Sequence, residues 1–239
     1  MRKYPVDPYL PSASVSEVLI SSNASQKILK SLFLHGIFPV PVDPVGTLPS
    51  YLSSHADMQL VNVCKGVFVH APGISPRLTK YLNESGFQLI KGNTDLKSVY
   101  PYDTAYNCAI ADKYAFLNVK AADAVLLEVL RKCGKKLIHV NQGYAKCSVC
   151  LVNKEAVITA DTAIHKWAVA TGLDSLLIPP QRNIVLEGCD YGFIGGAAGL
   201  ISERELAFSG SFENLDSRDD IARFLEKHGI VPVSRTWAV

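Results

Sequence analysis

The sequence contains no long hydrophobic run. No apolar stretch approaches the roughly 18–20 residues of a membrane span, and Met1-Arg2-Lys3-Tyr4-Pro5 leads into Pro-rich sequence rather than the apolar core of a signal peptide. The expected location is therefore the cytoplasm. A marked excess of one charge is missing too: Lys and Arg number 24 against 22 Asp and Glu, a formal net charge of +2, with no run of about five or six like charges. A dedicated nucleic-acid or acidic-lipid surface is excluded on that ground, and the expected partner is a small molecule or a protein. Cysteine is sparse, with Cys64, Cys108, Cys133, Cys147, Cys150 and Cys189 spread over a chain too large to need disulfide staples, so all six read as reduced thiols. There is no phosphate loop of the G-x-x-x-x-G-K-[ST] type, and neither a metal nor a cofactor is expected.

What the sequence does contain is apolar material for a core. Of 239 residues, 48% are hydrophobic and 19% charged, a composition of folded rather than disordered chains. A single domain, 1–239, is the default. Segments Asp57–Pro72, Ala105–Lys120, Lys146–Asp161 and Gly196–Ser211 align without gaps, with a repeat period of about fifty residues. Each reads as a β-hairpin with Lys65, Lys113, Lys154 or Arg204 at its turn and arms rich in Val, Ile, Phe and Ala. Behind each hairpin comes an amphipathic helix, then a glycine (Gly86, Gly134, Gly172 or Gly229), then a short strand. Glycine suits that place because it accepts the left-handed conformation that ends a helix. In Asp123-Ala-Val-Leu-Leu-Glu-Val-Leu-Arg-Lys-Cys133, Asp123 is the predicted N-cap. Residues Val18–Val42 supply strand, helix, Gly36 and strand, a fifth unit lacking one strand. The repeats are 14–55, 56–104, 105–145, 146–192 and 193–239. A closed ring follows, since an open array would expose strand edges, and Val233–Val239 is predicted to complete the first blade.

Five ββαβ units in this length resemble the pentein, or α/β-propeller, fold of guanidino-group-modifying enzymes. His55-Ala-Asp-Met58, Asn107-Cys108, Gln142-Gly-Tyr-Ala-Lys-Cys-Ser148 and Asp190-Tyr-Gly-Phe-Ile-Gly-Gly-Ala-Ala-Gly199 are similar to a small uncharacterised bacterial family of that fold. The resemblance implies an axial pocket at the starts of the hairpin arms. It also implies a ligand of guanidino or amino-acid-like kind, and chemistry at a C–N bond by hydrolysis or group transfer. A non-catalytic interaction module is the alternative, and a homodimer is compatible with either.

Such enzymes attack the guanidinium carbon with a thiolate, move protons with a histidine, and grip the cation with carboxylates, which match its planar N–H donors. Asp57 is the candidate grip, against a plain reading in which it caps the loop Ser53–Ala56. The last-blade stretch Gly195–Ile201 has no thiol where the enzymes carry their nucleophile. Cys147 is the remaining candidate nucleophile, with Lys146 expected to lower its pKa, against a reading as a small packing residue. His55 is the candidate proton carrier. Asn107, Ser148, Asp190 and Tyr191 are candidate ligand contacts, with turn and loop chemistry as their alternative. Gly195 and Gly196 either let the backbone approach a ligand or fit a crowded axis. Cys147 and Cys150 form a C-x-x-C that, read as one extended strand, turns its thiols to opposite faces.

Overall fold

The computed structural model describes residues 7–233. The elements run β1 (Glu17–Ser21), α1 (Gln26–Leu34), β2 (Phe38–Val42), α2 (Ala56–Gln59), β3 (Leu60–Cys64), β4 (Val67–His70), α3 (Pro76–Glu84), β5 (Gln88–Lys91), β6 (Ala109–Ala111), β7 (Tyr114–Leu117), α4 (Ala124–Lys132), β8 (Lys136–His139), α5 (Ala145–Ser148), β9 (Val149–Leu151), β10 (Ala156–Thr159), α6 (Thr162–Ala170), β11 (Asp174–Leu177), α7 (Ile194–Ala197), β12 (Ala198–Leu200), β13 (Glu205–Phe208), α8 (Arg218–Lys227) and β14 (Val231–Val233). Four small sheets share one plan. An antiparallel hairpin is followed by a helix, and a third strand then pairs parallel to the second arm: β3-β4-β5, β6-β7-β8, β9-β10-β11 and β12-β13-β14. The first unit is β1 and β2 alone, paired parallel. The predicted closing strand at the C-terminus lies outside the described residues, apart from Val233 in β14.

Local physics accounts for these boundaries. Gly36, Gly86, Gly134, Gly172 and Gly229 all hold positive φ directly after their helices, the conformation that costs a residue without Cβ least. The hairpin strands of the second, third and fourth units are buried on both faces, as in Leu60–Val63 and Ala156–Thr159, which is why they read as continuous apolar runs rather than alternating ones. The core is shared between neighbours. Met58, Val61, Tyr106, Leu117, Leu126 and Cys147 belong to one cluster spanning the second, third and fourth units, and Ile158, Ile194, Leu206, Phe224 and Leu225 to another spanning the fourth and fifth.

Two expectations are corrected here. The hairpin arms do not begin extended: Asp57–Gln59, Lys146–Ser148 and Gly196–Ala197 lie in the single-turn helices α2, α5 and α7. A four-residue turn is shorter than the window of roughly 11–18 residues over which helical periodicity shows in a sequence. The C-x-x-C is therefore split between a helical turn and strand β9. Nor are all six thiols free. Cys64, at the end of β3, is joined to Cys133, the C-cap of α4, across a sequence separation of 69 with Cα atoms 6.3 Å apart, within the span a disulfide bridges. Cys108, Cys147, Cys150 and Cys189 remain free. Thiol titration of the unfolded chain without reductant is expected to count these four, rising to six after reduction. A count of six beforehand would remove the cross-link. Among the described residues, no helix is long and apolar enough to cross a membrane.

Candidate functional site

The turns α2 and α5 meet at one place. Asp57, in the first turn of α2, accepts a hydrogen bond from the Cys147 thiol of α5, Sγ to Oδ2 3.0 Å. Asn107 lies behind both. Its Nδ2 donates to the Asp57 carbonyl at 3.1 Å and to Cys147 Sγ at 3.2 Å, and its Oδ1 accepts the Lys146 backbone N–H at 2.6 Å. Asp57 and Cys147 thus converge although 90 residues separate them in sequence. Asp57 is not spent on the loop before it, because its side chain serves the thiol.

The electrostatics run against thiolate chemistry. Burial pushes the Cys147 thiol well up from its ordinary range, and the Asp57 charge and its hydrogen bond push it further. Asn107 and Lys146 pull the other way and lose. The expected activation by Lys146 is therefore outweighed, and its ammonium is engaged elsewhere, donating to the Gly195 carbonyl at 3.0 Å and standing 5.3 Å from the centre of the Tyr9 ring. A thiol that stays protonated is a poor nucleophile. Burial likewise pushes Cys150 up to about 12.

A large open cleft runs along this wall. Asp57, His55, Lys146, Cys147, Asp190, Tyr191, Gly195 and Gly196 all border it. Asp57, His55 and Lys146 are half-buried, and Asp190 and Tyr191 are exposed at its rim. His55 is the N-cap residue of α2, on the same wall. Two candidates do not reach the cleft as ligand contacts. Asn107, 2% exposed, is consumed by Asp57, Met58, Cys147 and Lys146, and Ser148 is sealed at 3% with its hydroxyl unpaired. The two glycines divide. A Cβ on Gly195 would lie 2.2 Å from the Val149 carbonyl oxygen and 2.6 Å from that of Lys146, so this glycine lets α7 pack on α5. A Cβ on Gly196 would meet nothing within 4 Å.

Sequence reasoning missed Tyr9, Tyr144 and Phe193 at the site. Tyr9 holds a left-handed φ of 63°, packs beneath Lys146, and has its phenol pushed up by burial and by the Cys108 and Asp57 charges. Tyr144 donates to Asp103 Oδ2 at 2.5 Å. It also starts an aromatic row along the cleft, with Phe193 at 5.8 Å and Tyr191 6.2 Å beyond. Tyr9 has no equivalent in the repeats, so no alignment of units could reveal it; the sequence signal for Tyr144 was its place inside the Gln142–Ser148 motif. Among the described residues, no group of three or more His, Cys, Asp and Glu side chains is arranged to hold a metal ion.

Residues 19–236 match a family described as a family of unknown function, DUF6873. The chain belongs to that family. Its fold is that of pentein enzymes that act on guanidino groups. The inosamine-phosphate amidinotransferase of Streptomyces griseus is similar over 97% of this chain and 91% of its own, at 10% identity and a TM-score of 0.59. An amidinotransferase of the saxitoxin biosynthetic pathway from Microseira wollei is similar over 96% and 91%, at 11% identity and 0.57. DDAH from Pseudomonas aeruginosa, solved with citrulline, is similar over 95% and 93%, at 10% identity and 0.54. No curated protein matches in sequence. At these identities the likeness of this DUF6873 chain to the three enzymes is one of α/β fold.

Proposed function

We propose that the chain is a single-domain, five-bladed α/β-propeller that binds a small guanidino- or amino-acid-like ligand in its axial cleft, with Asp57 gripping the cationic end. One observation carries this reading. Asp57 is a half-buried carboxylate on a cleft wall, and among the described residues no Lys, Arg or His nitrogen lies within 4.0 Å of it. A carboxylate partly removed from water gains from a partner of opposite charge. A guanidinium or ammonium supplies both the charge and the N–H donors.

In this reading Cys147 is a positioning residue. Its proton is committed to Asp57 Oδ2, so it fixes the carboxylate rather than attacking carbon, and His55 borders the same space. The neutral thiol favours binding over hydrolysis or transfer at a C–N bond. Calorimetric titration with arginine, agmatine and methylated arginines is expected to find a ligand in the native protein. Asp57→Asn should lower its affinity by roughly ten-fold or more, the usual loss for a charge-assisted hydrogen bond. A ligand bound equally well by Asp57→Asn would overturn the reading. In the same samples, release of ammonia or ureido product that is abolished by Cys147→Ser would replace the positioning role with a nucleophilic one.

A further inference from the structure

Among the described residues, the Lys146 ammonium is a cation in the cleft without an anion. Its Nζ donates to the Gly195 carbonyl and lies over the Tyr9 ring, and among the described residues no Asp or Glu oxygen comes within 4.0 Å. An ammonium has three donors, and one carbonyl with one ring face leaves most of that capacity unused. What these neighbours do is hold the group still. Tyr9 is itself anchored, because the adjoining Asp7 pairs with Lys154 at 2.9 Å. Little side-chain freedom then remains to be lost when an anion docks.

The same wall carries the complementary charge. Asn107 ties the Asp57 carbonyl to the Lys146 backbone N–H, and Cys147 sits between the two charged residues, next to Lys146 in sequence and bonded to Asp57. Among the described residues, a carboxylate without a cation and an ammonium without a carboxylate therefore border one space. The aromatic row from Tyr144 to Tyr191 lies along the same cleft and carries no charge.

We propose that Lys146 is a specificity-determining residue that takes the carboxylate of a ligand whose cationic end sits on Asp57, so that the cleft selects amino acids over their decarboxylated amines. This deepens the Asp57 reading and rests on it. Arginine and agmatine are the probes, because they differ only in the carboxylate. Affinities are measured by calorimetry at low ionic strength, where partly exposed charges are least screened. The proteins are the native chain, Lys146→Met, Lys146→Gln and Asp57→Asn, each checked for its fold by circular dichroism and melting temperature.

The native protein should bind arginine roughly 10–100-fold more tightly than agmatine. Lys146→Met should erase that preference by weakening arginine and leaving agmatine as it was. Lys146→Gln gives the same readout if the methionine variant does not fold. Equal native affinities, or a preference surviving in the folded Lys146 variant, overturns the proposal. In either of those cases, loss of both ligands in Asp57→Asn leaves the Asp57 reading standing. If the native chain binds neither probe, this proposal falls, and if the methylated arginines do not bind either, the Asp57 reading falls with it.

Discussion

Replacing Asp123 by alanine is expected to destabilise the chain by about 3 kcal/mol or more, well beyond the loss of an ordinary N-cap. This carboxylate is fully buried and serves two segments at once. Oδ1 accepts the Val125 and Leu126 N–H groups that open α4, at 2.9 and 3.1 Å. Oδ2 accepts the N–H groups of Asn93 and Thr94, at 2.9 and 2.8 Å, in the loop after β5. Alanine would strip the partner from the buried Leu126 N–H, the half-buried Val125 and Thr94 N–H groups and the exposed Asn93 N–H, and of these only Thr94 keeps a second acceptor, the Tyr106 hydroxyl at 3.2 Å. For a chain of this size the melting temperature should fall by roughly 6–12 °C, and a fall under about 2 °C would refute the account. The effect is also pH-dependent. Burial opposes ionisation of Asp123, but the Thr94 side chain and the backbone donors outweigh it and hold the carboxyl below its ordinary 3.8. A folded-state value below the unfolded one means that the stabilisation is complete above the unfolded range and is lost as pH falls through the folded value. The gap between native protein and Asp123→Asn should accordingly narrow only in acid below about pH 4.

Gly195→Ala should be the second severe change, and Gly196→Ala its neighbouring control. The added methyl at 195 would meet the Val149 carbonyl oxygen at 2.2 Å, the Val149 carbonyl carbon at 2.5 Å and the Lys146 carbonyl oxygen at 2.6 Å. All three are backbone atoms, which cannot swing aside as a side-chain end does. Relief requires α7 to move off α5, and overpacking of this kind costs about 1–3 kcal/mol. The carbonyl that holds Lys146 moves with it. Gly195→Ala is thus expected to lower both the melting temperature and the affinity for ligand, whereas Gly196→Ala, with open space at its Cβ, should change stability by less than about 0.5 kcal/mol. Equal effects of the two substitutions in thermal melts would show that the helix contact is not what demands a glycine.

Much of this architecture was legible in the residues because its signals are local. Apolar periodicity and the five glycines at helix ends fixed the repeats, and Asp123 was recognisable as a cap from its place before Ala124–Lys132. That residues at the starts of hairpin segments such as Asp57 and Cys147 should approach one another was an expectation of the resemblance to a ring of such units. Side-chain direction did not follow. Lys146 adjoins Cys147 in sequence, but its ammonium turns to Gly195 and Tyr9, and burial next to Asp57 decides the state of the thiol. Those are tertiary quantities. The pairing of Cys64 with Cys133 was equally hidden, since spacing alone cannot say which cysteines meet. Asn107 and Ser148 have polar side chains suited to ligand contact, and only their burial removes them from the cleft surface.

The Asp7–Lys154 pair and the seat of Tyr9 under Lys146 have a consequence for the chain as it is being made. Residues Asp7–Leu10 are made before Lys146 and Lys154, the fourth-unit residues that complete their seat, so they must wait for that unit to be synthesised. Domains are made at about 5–20 residues per second, which makes that wait on the order of ten seconds. Throughout it, the aromatic ring of Tyr9 lacks its complete seat and faces solvent or a chaperone.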